Sequence, residues 1–471
     1  MDEREQRRPM LRLGRWVPEA LVLTLVLAGF AVAQFDMGGS SGQQEIASLP
    51  RGLRLPAQAS AGPVASAAGG PLSAAKVAAA VSPYVHGGAL GTHVGVLVGG
   101  LSSGGVVVYR LGHGAFRPAS VMKLLTTTAA LAALGPEARF STTVRRVGSS
   151  RTIVLVGGGD PLLASSAAKA RRLYPRRADM ATLAEATVRR LNALGINQVR
   201  LSYDDSLFTG PKVNPRWPAT YVSEGVVPPI DALWVDEGQA PGKPGYAADP
   251  AGRAAKVFAA ALARDGVVVQ GRIGRRVSGA GDTLLARVQS PRLGDIVHLV
   301  LGFSDNNAAE VIGHQLGIAE RVGGSFAGGV RAVRTVLRRL GVPTGMDRIY
   351  DASGLSRDNR LTPRTLVDVL RAAASPAHPS LRDVITGLPV AGFSGSLKFR
   401  FDTGLTAGRG RVRAKTGTLT GVSALAGIAT DVQGDPMAFA VMADQVPATE
   451  TLNARAALDR LTAALGGCRC R

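Results

Sequence analysis

Pro118-Ala119-Ser120-Val121-Met122-Lys123-Leu124-Leu125-Thr126 is the stretch on which the reading of this chain turns. Val121, Leu124, Leu125, Leu131 and Leu134 recur at helical spacing, with Pro118 just before and Gly135 just after, which predicts a helix over 119–134. Ser120 then falls in the first turn, where free N–H groups and the positive end of the helix dipole favour developing negative charge. Lys123 lies three residues on and shares that face. A serine hydroxyl is a poor nucleophile until a base takes its proton, and a partly desolvated lysine amine can do so. The plainer reading is a capping serine and a solvated lysine. It competes poorly, because lysine is scarce: the chain has eight in 471 residues, and two of them, Lys123 and Lys415, stand in short motifs suited to chemistry.

Two more motifs follow in order. Ser304-Asp305-Asn306 stands just before a helical segment and alone would read as a helix cap. Beside Ser120, Ser304 can pass a proton to a leaving amine, with Lys123 and Lys415 holding the network, while Asn306 bonds the substrate's peptide amide. Lys415-Thr416-Gly417-Thr418 ends one β run and precedes another. A strand edge there can pair with a substrate backbone. Gly417 permits close approach of a ligand, and the Thr416 and Thr418 hydroxyls beside the Lys415 charge suit a terminal carboxylate. The backbone N–H groups of Ser120 and Thr418 would form the oxyanion hole, where one lost donor typically costs about 10²–10³ in turnover.

The rest of the chain divides around these motifs. Arg7, Arg8, Arg12 and Arg15 precede an apolar run from about Leu21 to Ala33, and Ala31-Val32-Ala33 has the small-x-small form of a signal-peptidase site. Residues 1–34 read as a signal peptide or N-terminal membrane anchor, and the short run favours cleavage. Residues 35–72, rich in Gly, Ser, Ala and Pro, read as a flexible linker. Ser73 is a candidate cap for a helix to Val81. Strands are expected at Val94–Val98, Val106–Tyr109, Thr142–Val147, Thr152–Val156, Val199–Tyr203 and Val267–Ile273. Three more are expected at Val412–Thr416, Val422–Thr430 and Met437–Ala443. Thr182 and Glu185 suggest a capping box in a helix whose core face carries Met180, Leu183, Leu191 and Leu194. Further helices are expected to about Arg264, at Asp295–Leu301, Ala308–Leu316 and Val330–Leu340, from Thr362-Pro363 to Ala373, and from about Glu450 to Leu465. Residues 144–284 read as an inserted unit and 466–471 as a tail. Cys468 and Cys470, one Arg apart, do not favour a disulfide and read as part of a frayed end.

Fifty-five basic against 34 acidic residues give a net charge of +21. The basic residues are dispersed and almost all arginine, and no zinc-ligand cluster or RNA-binding signature accompanies them. Nucleic acid is therefore not expected as a partner, and an anionic envelope surface suits the charge better. No cofactor or metal is expected.

Together the three motifs are the S-x-x-K, S-x-N and K-T-G set of penicillin-recognising enzymes. The chain resembles the class C, type-4 penicillin-binding proteins, the D-alanyl-D-alanine carboxypeptidase/endopeptidase family, over roughly 75–465. The resemblance also rests on Gly157-Gly158-Gly159-Asp160-Pro161-Leu162, Asp351-Ala352-Ser353-Gly354-Leu355-Ser356 and Asn359-Arg360-Leu361-Thr362-Pro363. Gly354 and Asp351 read as a turn and an anchor. The resemblance implies an α/β (α+β) fold: a β-lactamase-like transpeptidase domain, 73–143 with 285–465, its antiparallel sheet flanked by helices, plus the inserted α/β unit. It implies an extracytoplasmic serine peptidase acting on peptidoglycan stem peptides ending in D-Ala-D-Ala, inhibited covalently by β-lactams. A serine β-lactamase and a non-catalytic wall-binding scaffold are the alternatives.

Overall fold

The computed structural model describes residues 71–85, 88–101, 105–242, 244–402 and 404–471. The expected signal or anchor segment and nearly all of the linker lie outside the described residues. Strands are numbered in chain order. The first sheet joins the two ends of the described chain: β1 (Val94–Gly100) and β2 (Val107–Leu111) meet three late strands, β9 (Val412–Leu419), β10 (Val422–Thr430) and β11 (Pro436–Ala443). The order β2-β1-β11-β10-β9 is antiparallel throughout. β1, β10 and β11 are almost wholly buried, since helices cover both faces.

Period-two alternation divides the side chains between two cores. Ala424, Ala426, Ala438, Ala440 and Met442 face a core completed by Leu124, Leu125, Val297, Val300, Ile312, Val333 and Leu370. Leu425, Phe439 and Val441 face the other way, onto Val77 and Val81 of the Ala74–Val85 helix and Leu458 and Leu461 of the Thr451–Gly467 helix. Each fully buried Leu or Phe contributes roughly 1.5–3 kcal/mol of transfer free energy. The small alanines of β10 and β11 let the Pro363–Ala374 helix lie close on the sheet. That helix starts as the sequence predicts: Thr362 accepts the Thr365 N–H at 3.0 Å, and Pro363 takes the first position, where no donor is needed.

The second sheet lies between the motifs. β3 (Ser141–Arg146), β4 (Thr152–Val156), β5 (Gln198–Asp204), β6 (Val268–Val269) and β8 (Thr283–Gln289) run in the order β6-β5-β4-β3-β8, with β7 (Gly274–Arg275) also on β5. β3 pairs antiparallel with β4 and β8, whereas β4 and β5 are parallel. Its core is packed by Met180, Leu183 and Leu191 of the Met180–Asn192 helix and by Phe258 and Leu262 of the Pro250–Arg264 helix. The chain enters this sheet on β3 and leaves it on β8. The sheet thus spans 141–289, slightly wider than the 144–284 read from sequence.

Several local expectations are corrected. The cap of the Met180–Asn192 helix is Asp179, whose Oδ1 accepts the Thr182 N–H at 2.8 Å. Thr182 is therefore inside the helix and forms no capping box with Glu185. Leu194 is 43% exposed, because the helix has ended before it. Within the Val267–Ile273 run only Val268–Val269 is strand: Gly271, with φ +75°, interrupts the ladder, and the next short strand, Gly274–Arg275, lies beyond the run. β8 is absent from the expectations because it is largely exposed and polar at its ends, so it carries little hydrophobic signal.

The chain end is not frayed. Cys468 and Cys470 form a disulfide with Cα atoms 5.4 Å apart. Cys468 is extended, which turns residues i and i+2 to the same side. Cys470 is buried, donates its N–H to Asp431 at 3.0 Å, and accepts the Ser73 N–H at 2.7 Å.

Candidate active site

The expected 119–134 helix begins differently from the sequence reading. Ala119–Met122 form a 3-10 turn, and the α-helix runs Lys123–Leu134. Ala119 has φ +46°, a left-handed conformation rare for alanine, so the turn is held by its surroundings. Those surroundings are two glycines. A Cβ on Gly417 of β9 would meet the Pro118 carbonyl oxygen at 2.5 Å, and one on Gly354 would meet that of Ala119 at 1.8 Å. Gly417 therefore admits this turn of the protein itself.

Lys123 is fully buried. Its Nζ donates to Ser120 Oγ at 3.0 Å, to Asn306 Oδ1 at 2.7 Å and to the Ser353 carbonyl at 2.8 Å. These use all three protons of an ammonium group. Burial lowers its pKa to about 8, against the opposing pull of Glu310, Asp351 and Asp305. A neutral amine here keeps two donors and offers its lone pair to the Ser120 hydroxyl.

Ser304 ends the Leu293–Phe303 helix with φ +63°, and the next helix, Asn306–Ala319, starts two residues later. The cap is Asp305, which accepts the Ala308 N–H at 2.9 Å. That leaves the side chains of Ser304 and Asn306 outside the capping interaction. Asn306 reaches Lys123 directly. Ser304 is buried, but among the described residues no hydrogen bond links it to Ser120 or Lys415.

Lys415 is also fully buried, and its Nζ donates to the Thr416 carbonyl at 2.9 Å. Burial, then the Lys123 and Arg400 charges, hold its pKa well below the ordinary lysine value. Among the described residues no carboxylate pairs with it, and an incoming carboxylate would supply that counter-charge. Thr416 Oγ1 donates to Ser396 Oγ at 3.1 Å, and Thr418 lies opposite Ser423 in the register. β9 is the sheet edge. Residues 389–391 cover its start, through Ala391 N–H to the Val412 carbonyl and Ala414 N–H to the Pro389 carbonyl. From Lys415 onward no further strand pairs with that edge among the described residues.

Motif reasoning missed Ser353, because it contributes a backbone carbonyl. It also missed Glu310, although the four-residue spacing from Asn306 places both on one helix face. Gly354 and Asp351 serve as the expected turn and anchor: Gly354 has φ +89°. Asp351 accepts from Gly354 N at 2.9 Å, Asn359 Nδ2 at 2.7 Å, Ser356 N at 2.6 Å and Trp217 Nε1 at 2.8 Å. Replacing Asp351 with alanine orphans four donors and should cost roughly 3–5 kcal/mol of stability. Urea unfolding of the variant measures this, and a cost under about 1 kcal/mol would show that the anchor is dispensable.

Comparison with known proteins supplies the lineage. The model of the D-Ala-D-Ala carboxypeptidase 3 (S13) family matches residues 77–243 and 246–465. Carboxypeptidase DacB of Mycolicibacterium smegmatis is 38% identical over 363 residues, 75% of this chain and 76% of the relative. Carboxypeptidase Rv3627c of Mycobacterium tuberculosis is 35% identical over 415 residues, 87% of each. The crystal structure of penicillin binding protein 4 (dacB) from Haemophilus influenzae superposes with a TM-score of 0.63 at 20% identity, covering 79% of this chain and 93% of that one. That likeness shows the shared penicillin-binding fold. With matches of this extent, the chain belongs to the D-Ala-D-Ala carboxypeptidase 3 (S13) family.

Proposed function

We propose that Ser120 is the nucleophile of a serine D-Ala-D-Ala carboxypeptidase/endopeptidase that works through an acyl-enzyme on peptidoglycan stem peptides. The observation that carries this reading is the buried Lys123 amine at 3.0 Å from Ser120 Oγ. As neutral base, Lys123 takes the Ser120 proton while Oγ attacks the carbonyl carbon of the penultimate D-Ala. The Ser120 and Thr418 N–H groups stabilise the oxyanion. Ser304 relays a proton to the leaving amine as the C–N bond breaks, and water then hydrolyses the ester. Asn306 orients the peptide amide. Lys415, Thr416 and Thr418 receive the terminal carboxylate beside the open edge of β9, with Gly417 keeping that strand close to the nucleophile turn. In a β-lactam the expelled amine stays tethered, so the adduct persists.

The unit built on the first sheet carries these groups, and the 144–284 insertion flanks them through Trp217 and Tyr246, whose hydroxyl meets Asn307 Nδ2 at 3.3 Å. The substrate places the enzyme outside the cytoplasmic membrane, with the apolar run 21–33 serving as export signal or anchor.

Incubation with benzylpenicillin should add one penicilloyl mass to the intact protein, and Ser120→Ala should abolish that addition. An unmodified wild-type protein would refute the reading, and rapid penicillin turnover would favour a β-lactamase. Product analysis with a pentapeptide and with a cross-linked dimer then separates carboxypeptidase from endopeptidase action.

A further inference from the structure

Glu310 takes no part in the steps above, yet its carboxyl is buried to 1% exposure beneath the site. It lies one helical turn after Asn306 on the Asn306–Ala319 helix. Oε1 accepts the Ser353 N–H at 2.8 Å, and both oxygens accept the Ala352 N–H at 3.2 Å. The Ser353 hydroxyl also favours its ionised form. The carbonyl of that same Ser353 accepts from Lys123 Nζ at 2.8 Å. Asn306, Glu310 and Ser353 thus form one bracket around the amine, with two of its three members on one helix.

We infer that Glu310 is a positioning residue for Lys123, clamping the Ala352–Ser353 backbone so that the Ser353 carbonyl holds the amine against Ser120. The inference rests on the reading of Ser120 and Lys123 as nucleophile and base. Burial and the Asp351 charge push Glu310 up to about 8, against the Ser353 hydroxyl and the Ala352 and Ser353 N–H groups, which favour the charged form. The two N–H groups can only donate and the hydroxyl can donate as well, so a carboxylate satisfies all three at once and the contacts fit that form. Its negative charge then favours the ammonium form of Lys123. The other charged groups acting at this amine are Asp351 from the adjoining loop, Asp305 from the helix cap and Lys415 from β9. Asp351 already accepts from four donors, and Asp305 accepts its cap N–H and hydrogen-bonds the Glu237 carboxyl, which burial pushes up to about 8. Glu310 is the carboxylate joined to Lys123 through the Ser353 backbone.

A purely structural carboxylate would affect stability and the overall rate, whereas a positioning carboxylate also affects the pH dependence. The measurement is the rate of acylation by fluorescent penicillin from pH 6 to 10 in wild type, Glu310→Gln and Glu310→Asp, with melting temperature as a control for folding. Glu310→Gln should lower the plateau rate about tenfold and move the acid limb down by about half to one pH unit, as expected when a nearby opposite charge is removed. Glu310→Asp keeps the charge on a shorter arm, so its limb should fall between those of Glu310→Gln and wild type. A folded Glu310→Gln protein with the wild-type limb would overturn the inference. If Glu310→Gln does not fold, an unmoved limb in Glu310→Asp overturns it instead, and a lowered one supports it. Failure of the wild type to acylate would sink the nucleophile reading. Wild-type acylation with unmoved limbs in the variants sinks this inference alone.

Discussion

Lys123→Met should be acylated by penicillin about 10²–10⁴-fold more slowly than the wild type, the range contributed by a well-placed general base. Methionine roughly keeps the length and apolar stem of the lysine, so the helix and its packing should survive. It removes the group that accepts the Ser120 proton. The same argument sets the wild-type pH profile. Only the unprotonated amine accepts a proton, and burial has lowered its pKa to about 8. The acylation rate should therefore rise with pH through that region and level off above it. Below it the rate should fall about tenfold per pH unit, as for any single titrating base. Stopped-flow acylation across pH measures both effects. A Lys123→Met protein within a few-fold of the wild-type rate would remove Lys123 from the base role, and a flat profile between pH 6 and 9 would argue against an amine base.

Gly354→Ala should be nearly as damaging, although residue 354 takes no chemical role. The added methyl would lie 1.8 Å from the Ala119 carbonyl oxygen and 3.0 Å from Met122 Cβ, at a φ of +89°. If the Ala119–Met122 turn yields, Ser120 moves with it, and if the Asp351–Ser356 loop yields, the Ser353 carbonyl that holds Lys123 moves instead. The expected cost is about 2–4 kcal/mol of stability, from strain and clash together. Acylation should fall by more than about 10²-fold, since misplacement by an ångström is enough for such a loss. Gly114→Ala separates the two causes. Gly114 has φ +94° but no atom within 4 Å of an added Cβ, so it carries the strain without the clash. Its expected cost is about 1 kcal/mol with acylation unchanged. Equal behaviour of the two variants would mean that the packing of Gly354 on the nucleophile turn is unimportant.

Much of this site was legible because its chemistry is carried by side chains at short, fixed spacings. Ser120 and Lys123 are three apart on one turn, and Ser304 and Asn306 flank the cap residue Asp305. Lys415 to Thr418 lie on an edge strand that hydrophobic alternation already delimits. What stayed hidden works through backbone or burial. The Ser353 carbonyl has no signature in a sequence, and Glu310 looks like any helix glutamate until its surroundings exclude water. The 3-10 start of the helix was hidden too, because apolar spacing is nearly the same for both helical forms over four residues.

The amino-acid sequence by itself determined the elements and the reagents: which segments are helix or strand, and which hydroxyl, amines and amide are present for acyl transfer. Those properties depend on neighbours within a few residues, where propensity, capping and periodicity act. Only the tertiary structure decided that Lys123 is dry and its pKa near 8, that Gly354 and Gly417 brace the nucleophile turn, and that the two cysteines close the chain end. Desolvation and close packing come from residues hundreds of positions apart, and no local pattern encodes which distant backbone will arrive against a given side chain.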